Sequence, residues 1–105
     1  APERCFRQWG FETRLVFDRK KFDRALDCAD AAIVFYHWAG KKRLGAHFVA
    51  LEKTDNGIRG YNTYRDSGGP DDWGRSLETF LRKRGYFGCV LLAIRKKGGE
   101  NIEIG

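Results

Sequence analysis

The chain has 105 residues, of which 42% are apolar and 32% charged, with a formal net charge of +6. That length and apolar content suit one small domain with a modest core and exclude a disordered chain. No apolar run is long enough to cross a membrane as a helix, and no secretory signal pattern is visible.

The positive charge lies in short clusters, Arg19-Lys20-Lys21, Lys41-Lys42-Arg43, Arg82-Lys83-Arg84 and Arg95-Lys96-Lys97. They flank turns and element ends, which favours solvated surface over a nucleic-acid site. Cys5, Cys28 and Cys89 are an odd number without metal-ligand spacing, so neither zinc nor a disulfide framework is expected, and no cofactor is implied. Stability must come from packing.

In chain order, residues 2–9 read as a short helix, with Pro2 in its first turn and Gly10 past its end. It is too short to stand alone and needs Phe6 and Trp9 as anchors. A strand is predicted over 12–17. Asp18 then caps a helix over 19–29 with an apolar stripe of Phe22, Ala25, Leu26 and Ala29. The nearly continuous apolar run 31–38 predicts a central strand buried on both faces. A basic loop, 39–45, leads into a hairpin with strands 45–53 and 58–64 about Asp55-Asn56-Gly57. Residues 65–74 read as loop. Ser76 caps a second helix with Leu77, Phe80 and Leu81 on its apolar side and Gly85 as its stop, and 86–94 forms the last strand. These elements make one α+β domain over residues 1–97. It has a mostly antiparallel sheet of about five strands, two main helices and the short N-terminal helix. Residues 98–105 form a polar tail.

In the hairpin, His47, Val49 and Leu51 share one side of the first strand; Ile58, Gly60, Asn62 and Tyr64 form one row of the second. A strict two-residue Asn56-Gly57 turn would pair Leu51 with Asn62 and leave His47 roughly 13 Å away. A four-residue loop over 54–57 pairs Val49 with Asn62 and brings His47 within about 7 Å by backbone. The longer loop is the register expected here.

Gly45-Ala46-His47-Phe48-Val49-Ala50-Leu51, a turn, then Gly60-Tyr61-Asn62 resembles the histidine hairpin of papain-like cysteine peptidases. The nearest likeness is to the bacteriocin-processing, double-glycine leader peptidases. In that family an acidic residue follows the histidine by about fifteen positions, and here 62 − 47 = 15. The order of elements extends the likeness along most of the chain. The resemblance implies that His47 is the general acid/base for a cysteine thiolate attacking a peptide bond and that Asn62 orients its ring. Asparagine where the leader peptidases carry aspartate is a departure toward the papain pattern.

The nucleophile is the larger departure. In the family the cysteine begins a long helix upstream of the histidine, behind an oxyanion glutamine. This chain resembles the papain-like half that lacks this cysteine-helix lobe. The thiol is therefore expected on a preceding or separate N-terminal segment. Cys5 is the candidate within the chain, although its helix ends by Gly10 and no oxyanion glutamine precedes it. Trp38, Tyr64 and Trp73, with Tyr61, could rim a peptide cleft; packing in the core is the alternative for Tyr61 and Trp73. His37 has no acidic or thiol partner nearby in sequence and reads as structural. Asp71-Asp72 reads as a solvated turn.

Two helices cannot cover both faces of a five-stranded sheet. The row His47, Val49 and Leu51 is therefore expected on exposed surface, to be covered by a complementary N-terminal chain or by a second copy. Three function classes follow: the histidine-bearing part of a peptidase, a non-catalytic leader-peptide-binding module of the same fold, and a basic nucleic-acid-binding domain.

Overall fold

A computed structural model describes residues 8–61 and 71–96. The elements are β1 (Phe11–Val16), a 3-10 turn (Arg19–Lys21) running into α1 (Phe22–Asp27), β2 (Ala31–Ala39), β3 (Leu44–Thr54), β4 (Gly57–Tyr61), β5 (Asp71–Asp72), α2 (Leu77–Lys83) and β6 (Phe87–Lys96). The fold is α+β, with one six-stranded antiparallel sheet ordered β1-β6-β2-β3-β4-β5. The strand beyond the expected five is β5, two residues that pair Arg59 with Asp72 and Gly60 with Asp71. The helix expected over 2–9 lies outside the described residues apart from Gln8 and Trp9; Gln8 is helical, and Gly10 beyond it takes a φ of +85°. The tail 98–105 lies outside them.

Helix 19–29 is shorter than its stripe suggests. The Asp18 carboxylate accepts from the Lys20 N–H at 3.0 Å and the Asp18 carbonyl from the Lys21 N–H at 2.9 Å, so the chain enters as a 3-10 turn. Phe22 and Leu26 are the residues that α1 buries, and Leu77 and Leu81 those that α2 buries. All four join Ala32, Val34, Val49, Leu51, Ile58 and Leu91 in a single core on one face of the sheet. Both helices therefore cover the same side.

That side is the His47 side. Val49 is 1% exposed, while its neighbour Phe48, on the other face, is 61% exposed. The expectation that the His47, Val49 and Leu51 row is bare is corrected: the bare row is Ala46, Phe48 and Ala50. Alternation along a strand separates two rows but does not say which one meets the helices.

Where β2 meets β6, the register shifts between Phe35 and His37, leaving an extra β6 residue opposite Tyr36. Gly88 takes a φ of +58° there, the conformation of the first residue of a G1 bulge. Cys89, two residues before Leu91 on the same face, lies in the core near Tyr36.

Candidate functional site

The β3–β4 ladder pairs Lys53 with Ile58, Leu51 with Gly60 and Ala50 with Tyr61. This is the register of the longer loop, with Thr54 and Gly57 adding one further pair and the Thr54 hydroxyl donating to the Gly57 carbonyl at 3.0 Å. Ala50 and Tyr61 are the last described pair. Asn62 and Tyr64, and Cys5 at the other end of the chain, lie outside the described residues.

His47 pairs with Tyr36 across β2 and β3. Its imidazole is half-buried and meets the Tyr36 ring edge-on, with centroids 5.9 Å apart at 82°. Tyr36 stacks on Tyr86 at 4.1 Å, Tyr86 meets Phe80 at 6.3 Å, and Phe80 stacks on Trp73 at 4.2 Å. His47 thus stands at the open end of the covered face against packed rings from β2, α2 and the segments that follow β5 and precede β6.

The next ladder pair on the same face toward the strand ends is Trp38 with Gly45. The indole lies flat over Gly45, and a Cβ added there would fall 2.2 Å from its ring atoms. Glycine is therefore what lets Trp38 lie beside the His47 row. The Arg43 guanidinium sits 5.7 Å over the same indole, and the Gly40 N–H donates to the Arg43 carbonyl at 2.8 Å to close the β2–β3 loop. The half-buried imidazole and the half-buried indole thus stand on the same face of β2 and β3, one same-face pair apart.

The other candidates are placed elsewhere. Trp73 is 5% exposed, its ring over Gly60, and it packs in the core. Tyr61 is on the opposite face, where its hydroxyl donates to Glu52 at 2.9 Å. His37 is also on that face, stacked on Phe87 at 5.7 Å. Asp72 accepts from the Gly74 N–H at 2.8 Å, so the Asp71-Asp72 stretch is both turn and short strand.

Burial pushes the Cys89 thiol above its ordinary range, and Arg19 offsets this only in part. With β2 between its strand and β3, Cys89 stands two strand spacings from His47, about 10 Å. Cys28 is exposed at the end of α1. Burial disfavours a thiolate at Cys89, and Cys28 lines the space between β1, α1 and β6.

Sequence reasoning missed Asp23. Its carboxylate, on α1, accepts from the Leu77 N–H at 2.7 Å, the Glu78 N–H at 3.3 Å and the Ser76 hydroxyl at 3.2 Å, and so caps α2 from another helix. An Asp in a first helical turn carries no signal for a partner more than fifty residues away.

No protein-family model matches the chain, and no curated protein matches it in sequence. Among the described residues no group of His, Cys, Asp and Glu side chains could hold a metal ion, and no helix is long and apolar enough to cross a membrane.

Proposed function

We propose that the chain is the histidine-bearing part of a papain-like cysteine peptidase acting on peptides. In this reading His47 is the general acid/base, and Asn62, directly after Tyr61, orients its ring. Trp38 offers an apolar ring to a peptide beside it, and the nucleophilic thiol comes from Cys5 or from a complementary N-terminal segment. The observation that carries the reading is the hairpin register, in which Lys53 pairs with Ile58 and the ladder reaches Tyr61 with His47 half-buried on the helix-covered face. It is the register that the His47 and Asn62 pairing requires.

A second reading, a peptide-recognition module without catalysis, is favoured by the placement of Cys28 and Cys89 away from His47. Thiol labelling separates the two. The purified chain, with any chain that co-purifies, is treated with an epoxysuccinyl inhibitor and mapped by mass spectrometry. A peptidase gains label on one thiol, and His47→Ala abolishes it. Uniform slow labelling that His47→Ala leaves unchanged overturns the catalytic reading and leaves recognition.

A further inference from the structure

At the β1 edge of the sheet, away from His47, a cavity of about 610 Å³ opens between β1, α1 and β6. That volume lies within the usual range for small-molecule sites. Val16, Ala25 and Ala93 give it apolar surface, and Arg14, Lys21, Arg24 and Arg95 line it with positive charge. Glu12 is the single carboxylate among the lining residues.

The convergence follows from the fold. Glu12, Arg14 and Val16 alternate onto one face of β1, and the ladder sets Arg95 opposite Glu12 and Ala93 opposite Arg14. Lys21 and Arg24, three residues apart, present their charges from the helical wall. The acids of the neighbouring elements are engaged elsewhere: Asp27 pairs with Lys53 at 3.0 Å, and Glu78 with Arg19 and Arg82 at 3.7 Å each. Among the described residues no carboxylate forms an ion pair with any of the four cations. Four cations against the single Glu12 carboxylate leave the cavity with net positive charge, and an anion placed among them relieves their mutual repulsion.

We propose that this cavity binds a small organic polyanion. The three guanidinium groups take its charged groups through forked hydrogen bonds, and its carbon body rests on the apolar surface. Phosphate and carboxylate compounds share this chemistry. The proposal is independent of any role for His47.

Isothermal titration of the whole chain at low salt tests it, with ADP and pyrophosphate as phosphate probes and citrate as the carboxylate probe. Saturable one-to-one binding of at least one probe is expected, and the probe that binds identifies the charged group. Arg14→Gln and Arg24→Gln should each weaken binding about tenfold, as expected for losing a charged hydrogen bond. Lys42→Gln, in the distant β2–β3 loop, should leave it within about twofold. All three are exposed, and unchanged melting temperatures establish that the variants are folded. Absence of saturable binding by all three probes overturns the proposal. So does a loss on Lys42→Gln equal to that on Arg24→Gln, which would mark diffuse surface charge.

Discussion

Tyr36 carries more of the site than its position in an apolar run suggests. Burial, and then the neighbouring Tyr86, push its phenol well above the ordinary value of 10.0, and burial raises Cys89 from 9.0. Both groups are neutral when protonated, so above those ordinary values the unfolded chain loses protons that the folded chain keeps. Stability is therefore full below about pH 9 and falls as pH rises further. Urea unfolding at pH 8 and pH 10.5 should show this loss, and Tyr36→Phe should remove the tyrosine share of it. An equal pH dependence in wild type and variant would contradict the burial of the phenol. The two tryptophan-covered glycines make a second residue-scale contrast. At Gly60 a Cβ would meet the buried Trp73 indole at 2.4 Å, so Gly60→Ala should cost about 1–3 kcal/mol in chemical unfolding. At Gly45 the covering Trp38 is only half-buried and can swing away, so Gly45→Ala should cost less than about 1 kcal/mol while moving the indole from the His47 row. Neither glycine announces its indole in the sequence, because each pairing is made across the fold.

The elements themselves were largely legible. Alternation in 45–53 and 58–61, the caps at Asp18 and Ser76, and the glycine stop at Gly85 all correspond to observed features. What local pattern could not contain was tertiary. Strand β5 exists only because β4 offers Arg59 and Gly60 as partners, and α2 owes its start to Asp23 as well as to Ser76, whose hydroxyl accepts from the Thr79 N–H at 3.3 Å. A seven-residue helix is marginal without such help. Asp23→Ala should lower global stability by about 1–2 kcal/mol, more than the exposed Asp55→Ala, as measured by urea unfolding. Equal effects would show that the cap contributes nothing.

For the whole molecule, the two faces of the sheet differ in what they support. The sequence shows two apolar rows on β3 but not which one the helices meet, and the arithmetic of two helices against one sheet does not settle it. The folded chain covers Val49 and leaves Phe48 out. Val49→Ala should therefore cost about 2 kcal/mol and Phe48→Ala less than about 1 kcal/mol, although phenylalanine is the larger side chain. The candidate site was less legible than the fold. The hairpin and its register could be anticipated from residues 45–64, whereas the rings packed beside His47 come from β2, α2 and the segments that follow β5 and precede β6 and have no signature in any one segment.

The central claim is that Asn62 fixes the His47 ring across the hairpin. Nitrogen-15 NMR of the labelled imidazole at pH 8 reads its tautomer directly, in wild type and in Asn62→Ala. The account predicts one dominant His47 tautomer in the wild type and a shift toward a mixture in the variant, with His37 unchanged as the internal control. An identical His47 spectrum in both proteins would contradict it.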